Sequence, residues 1–204
     1  WHLTYGNIRH YNPVSLRPEM RNYTIFIDAI SKVFAATGVR VGWSMGPAVV
    51  IAKMKSILTH VGAWAPMAEQ KAVAYYLNQH RDNIKKYLNH FKSEIEERLR
   101  RIYDGLIQLK SEGLAVDAIA PEAAIYLTIN FDLVGKSTEE GKLLADQGAV
   151  TAYILNEAKL AVVPFYAFGA SRSSTWYRLS IGTCKKEEIN EMLNKLKEAL
   201  KKLR

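Results

Sequence analysis

Ile30-Ser31-Lys32-Val33-Phe34-Ala35-Ala36-Thr37-Gly38-Val39-Arg40-Val41-Gly42-Trp43 is the stretch on which the reading of this chain turns. It continues from residues 24–30, a short run rich in β-branched and aromatic side chains, which reads as a strand buried on both faces, as in a parallel sheet. A lysine directly after such a strand is unusual, because a buried ammonium is costly unless it is paired or put to use. An amine at that place is what a carbonyl compound needs, since lysine condenses with aldehydes to a Schiff base. Eight residues on, Arg40 stands between Gly38 and Gly42. The glycines let backbone approach an anion closely, and a guanidinium forks onto phosphate oxygens.

Working outward, residues 1–22 read as mostly irregular, and the abrupt aromatic start at Trp1 reads as the beginning of a piece of a longer chain. Residues 31–46 read as loop. Pro47 opens a helix with Val50, Ile51, Met54, Ile57 and Leu58 on one face, and a second helical region begins near Pro66. Its later part carries apolar residues from Ile84 to Leu109 at spacings of three and four, the pattern of a long amphipathic helix. A break is expected in the polar stretch 78–82. Beyond Gly113 the pattern alternates. Residues 114–118, 124–132, 160–163 and 176–181 read as strands. Residues 138–159 read as a helix capped by Ser137 or Thr138, and a final helix starts near Lys185 with Ile189, Leu196 and Leu200 on its apolar face.

Composition bounds the function classes. The 204 residues are 49% hydrophobic and 24% charged, ordinary proportions for a globular chain. No apolar run reaches the ~20 residues that span a bilayer, so no membrane association is expected. The single cysteine, Cys184, excludes an internal disulfide, fits a reducing, cytoplasmic setting, and reads as a structural thiol. The five histidines lack ligand spacing, and no metal is expected. A net charge of +8 raises the question of nucleic acid. The basic residues nevertheless alternate with acids along 81–110, and the run from Lys195 to Arg204 ends a helix, where cations complement the dipole. No nucleic-acid partner is expected.

The order Ser31-Lys32, Gly38, Arg40, Gly42 resembles the lysine signature of the class I/II aminotransferases, a branch of the fold-type I pyridoxal-phosphate enzymes similar to aspartate aminotransferase. Four further segments resemble the family in order: Ala65-Pro66 through Ala72, Pro121 through Leu127, Val162-Val163-Pro164 through Phe168-Gly169, and Tyr177-Arg178-Leu179-Ser180-Ile181. An arginine amid Trp176, Tyr177, Leu179 and Ile181 has, independently, a bidentate carboxylate as its natural partner.

The resemblance implies an α/β fold. Residues 1–80 would be the C-terminal portion of the large cofactor domain, 81–110 a connecting helix and 111–204 a small α/β domain. It implies pyridoxal 5'-phosphate as cofactor, carried on Lys32 as a Schiff base, with Arg40 on its phosphate and Arg178 on the substrate α-carboxylate. Substrates would be an amino acid and a 2-oxo acid, and the parent enzyme a homodimer. Tyr126 and Tyr166 are candidates to line the cleft. Where the family commonly has Ser or Gly near the phosphate, this chain has Ala29. Around residues 59–64, where some aspartate-specific members place an arginine, it has only His60.

In family order, the Asp, Tyr and Asn that engage the cofactor ring stand upstream of Leu3-Thr4-Tyr5-Gly6, so the isolated chain is expected to be inactive. The same lysine also serves lyases and decarboxylases of this fold, and aminotransferase-like domains act as sensors in some transcription regulators.

Overall fold

The computed structural model describes residues 2–204, a mixed helix and sheet fold that separates into two compact units, one ending at Phe91 and the other spanning Lys92–Arg204. The boundary falls inside one long helix.

In the first unit a single turn, α1 (Pro13–Leu16), starts at a capping box in which Asn12 accepts from the Ser15 amide and Ser15 accepts from the Asn12 amide. β1 (Phe26–Ala29) pairs antiparallel with β2 (Gly42–Met45), Phe26 opposite Met45 and Ala29 opposite Gly42. This corrects the reading of residues 24–30 as a doubly buried parallel strand, since Ile27 is 73% exposed. Only a dozen residues join the two strands, too few for the long crossover a parallel pair needs. They are compacted into α2 (Ile30–Val33) and a 3-10 turn at Thr37–Val39, so the stretch is not plain loop.

Pro47 caps α3 (Ala48–Val61) and Pro66 caps α4 (Met67–Gln79). The expected apolar stripe of α3 exists but is not buried: Ile57 is 61% exposed, and no residue of α3 or α4 is buried. The helix breaks at His80, within the stretch expected, and α5 (Arg81–Ser111) follows. Near its start Phe34 stacks on Tyr87, and Tyr87 on Phe91.

In the second unit Ile95, Leu99, Ile102, Leu106 and Leu109 of α5 form the buried stripe that the spacing predicts. The sheet is antiparallel throughout. Its strands are β3 (Val116–Ala118), β4 (Tyr126–Phe131), β5 (Val163–Pro164) and β6 (Trp176–Ser180), in the order β3-β4-β6-β5. Alternation puts Leu127, Ile129, Phe131, Tyr177 and Leu179 into the core. The other face presents Tyr126, Thr128, Asn130, Trp176 and Arg178, all half-buried.

The helix read at 138–159 is shorter than expected. α6 spans Gln147–Ala158, capped by the Asp146 carboxylate on the Ala149 amide. Gly141 takes a positive φ of 80°, and Ser137 exchanges backbone hydrogen bonds with Arg204, which ties the preceding segment into turns. α7 (Ile189–Lys201) packs on α6, and the Tyr153 hydroxyl donates to the Ala199 carbonyl at 2.7 Å. Its lysines meet carboxylates: Lys195 with Glu191, Lys197 with Glu112 and Lys201 with Glu198. The basic tail is therefore a face of ion pairs.

Candidate active-site residues and family

Lys32 lies on the one-turn helix α2, and its side chain is exposed rather than buried after a strand. The reason is local: α2 turns Ile30 and Val33 inward and leaves Lys32 on the outer side of the turn. Ala29 caps this helix with no side-chain hydrogen bond, so the residue that departs from the family pattern also leaves the helix start without a hydroxyl.

Arg40 ends the 3-10 turn in the left-handed region, at φ 59° and ψ 39°. For a residue with a Cβ this conformation costs ~1–2 kcal/mol. Its guanidinium donates to the Thr37 carbonyl at 2.9 Å, bracing the turn that carries it, and the side chain is exposed. Gly42 is required by strand packing. A Cβ there would lie 2.9 Å from the Asp28 carbonyl oxygen, so glycine lets β2 close against β1. Gly38 has open space around it.

Among the described residues neither Lys32 nor Arg40 forms an ion pair. An exposed amine and an exposed guanidinium with spare donors are a chemically suitable pair for a carbonyl compound that bears a phosphate. The first unit also holds an open apolar cavity of about 1110 Å³, lined by Val33, Phe34, Trp43, Met45, Leu77 and Leu88 among others. Lys32 and Arg40 do not line it. His60 sits near the end of α3 with Nδ1 2.8 Å from the Ser56 carbonyl, a contact within its own helix.

In the second unit Arg178 stands in the middle of β6, opposite Thr128 of β4 and Val163 of β5. No carboxylate pairs with it among the described residues, and its Nε–H is buried without an acceptor. Its Cζ lies 4.6 Å from the centroid of the Tyr126 ring and 4.4 Å from that of Phe168. Tyr126 stands one strand away on the same sheet face. Phe168 arrives from a 3-10 segment at Phe165–Phe168, which Gly169 ends at φ 91°. That positive φ is what the Phe-Gly pair supplies: a side chain at 169 would strain the turn that aims Phe168. Tyr126 was read as a candidate cleft residue, and the structure places it against Arg178. Phe168 was quoted in a motif without a role, and its signal was the glycine after it. Tyr166 instead lies beside Arg172, at 5.8 Å from centroid to Cζ.

No group of three or more potential metal ligands occurs among the described residues. No described helix is long and apolar enough to cross a membrane. Cys184 is half-buried, and burial raises its thiol above the usual range, with Glu188 adding to the effect. That is the setting of an unreactive thiol.

The model of the family Aminotransferase class I and II matches residues 2–196. The chain belongs to that family. Class I and II aminotransferases are generally pyridoxal-phosphate-dependent. Among individual proteins, an aspartate aminotransferase from Rhizobium meliloti (strain 1021) is 30% identical over 203 residues, which cover 99% of this chain and 47% of that one. A probable aspartate/prephenate aminotransferase from Rickettsia typhi is 27% identical over 199 residues, covering 97% of this chain and 47% of its own. The crystal structure of an aspartate aminotransferase from Rhizobium meliloti superimposes with a TM-score of 0.85 at 28% identity, over 100% of this chain and 48% of that one. That of an aromatic aminotransferase from Pyrococcus horikoshii OT3 gives 0.81 at 26%, over 98% and 48%. The chain thus spans about half the length of these class I and II relatives.

Proposed function

We propose that this chain supplies the lysine and the two anion-binding arginines of a pyridoxal-phosphate-dependent aminotransferase, which moves an amino group between an amino acid and a 2-oxo acid. Arg178 carries the reading. A guanidinium with no carboxylate partner among the described residues and one buried, unmet N–H is a standing demand for an acceptor, and a substrate α-carboxylate would meet it with two parallel hydrogen bonds.

The cofactor, when bound, supplies an aldehyde for the amine and a ring that withdraws electrons from the substrate carbon. Lys32 would hold the cofactor through Nζ, and the same nitrogen would be the base that takes and returns the substrate Cα proton. Arg40 would hold the phosphate, with its hydrogen bond to the Thr37 carbonyl bracing the guanidinium. Arg178 fixes the carboxylate end and so orients the Cα–H bond. The parent enzyme is a cytoplasmic homodimer in this reading.

Borohydride reduction of the full-length protein with pyridoxal phosphate, followed by peptide mapping, tests the assignment. The mass increment is expected on the peptide holding Lys32 and is lost in Lys32→Ala. An increment elsewhere, or none, overturns it.

A further inference from the structure

The two rings around Arg178 do something that a carboxylate anchor alone does not require. Tyr126 comes from β4 and Phe168 from the turn ended by Gly169, and both rings lie within 4.6 Å of the same guanidinium carbon. The cation thus lies over the face of each ring. The N–H groups lie in the guanidinium plane and stay free to donate along its edge. An arginine side chain has many rotamers, so one without an ion pair would otherwise sample many orientations.

We propose that Tyr126 and Phe168 are positioning residues that clamp the plane of the Arg178 guanidinium. The clamp makes the site accept planar, bidentate carboxylates in preference to tetrahedral oxyanions. This rests on the reading of Arg178 as a carboxylate anchor and adds the means of its selectivity. A carboxylate lies in the plane of the fork with both oxygens. A phosphonate or sulfonate must project at least one oxygen out of that plane, toward a ring face whose quadrupole repels it. Phe168 is 55% exposed, so its ring is a wall of the site rather than part of the core.

The test uses the 204-residue chain, the Arg178 Nε–H signal in nitrogen-15 spectra (assigned by its loss in Arg178→Lys), and titrations with acetate and with methylphosphonate. Acetate is expected to shift that signal at lower concentration than methylphosphonate. Phe168→Leu and Tyr126→Leu are each expected to weaken acetate binding, by roughly tenfold when combined, and to erase the preference between the two anions. Tyr126→Phe, which keeps the ring, is expected to retain both. Urea unfolding of each variant identifies any loss that comes from misfolding, and Phe168→Leu, at an exposed position, keeps the test open if Tyr126→Leu unfolds. If acetate responds at Arg178 but Phe168→Leu and Tyr126→Phe/Phe168→Leu leave affinity and preference unchanged, the clamp is wrong and the carboxylate anchor stands. If acetate leaves Arg178 unmoved in the unsubstituted chain, both fall.

Discussion

The Tyr177 hydroxyl donates a hydrogen bond to Gln147 Oε1, joining β6 to the first residue of α6 inside the core. Both side chains are buried, Tyr177 at 0% and Gln147 at 4% exposure. Gln147 is a polar residue at a core position, and the phenol is what makes it tolerable there.

A pH dependence follows from this pair. Burial is the main cause that pushes the Tyr177 phenol from its ordinary 10.0 up to about 12. The folded chain therefore keeps a proton that the unfolded chain releases. The associated stability is fully present below pH 10 and is lost as pH rises from there toward 12. Tyr177→Phe is expected to cost about 1–3 kcal/mol at pH 7, because the Gln147 carbonyl loses its donor. The gap between the two proteins should narrow above pH 10. Urea unfolding at pH 7 and pH 11 checks this, and a gap that does not change with pH counts against the assignment.

Packing of α5 on α7 gives a second expectation. A Cβ on Gly105 would lie 2.3 Å from Leu193 Cδ1, with Cδ2 and Cγ also inside normal contact. The whole leucine tip must move to admit it. Replacing a mid-helix glycine by alanine ordinarily stabilises by ~1 kcal/mol. Here overpacking, at about 1–3 kcal/mol, is expected to outweigh that gain, so Gly105→Ala lowers stability. Combined with Leu193→Ala, the same change should become neutral or favourable relative to Leu193→Ala alone. Thermal denaturation of the four proteins completes the cycle. A stabilising Gly105→Ala in the unsubstituted background would show that Leu193 has room to yield.

The first unit leaves an unusual amount of apolar surface open. Val49 and Val61 of α3 are 74% and 69% exposed, Met67 of α4 is 66%, and Ile27 of β1 is 73%. Exposed apolar patches of this kind drive association. The isolated chain is expected to sediment with a concentration-dependent average mass, and Val49→Lys with Val61→Lys should reduce it. A monomer of constant mass across the micromolar range would contradict this.

Much of the architecture was legible because it depends on local periodicity. The stripe from Ile95 to Leu109, the break near His80 and the alternation of β4 and β6 are written in spacings of three, four and two. The failures share a physical cause. Whether residues 24–30 are buried, whether α3 buries its stripe and where α6 begins depend on partners distant in sequence, such as Arg204 holding Ser137. Periodicity shows which face is apolar without showing what covers it.

The site divides in the same way. Lys32, Arg40 and Arg178 were candidates from the sequence alone, because residue types at fixed intervals carry the family resemblance. The tertiary structure decided that Lys32 is exposed on a one-turn helix, that Gly42 serves strand packing, and that Arg178 has no carboxylate partner among the described residues and lies against Tyr126 and Phe168. Those facts arise from antiparallel pairing, which closes β2 on β1 and sets Tyr126 of β4 beside Arg178 of β6, and from the turn at Gly169, which aims Phe168 at the same guanidinium. No interval along the chain records such a meeting.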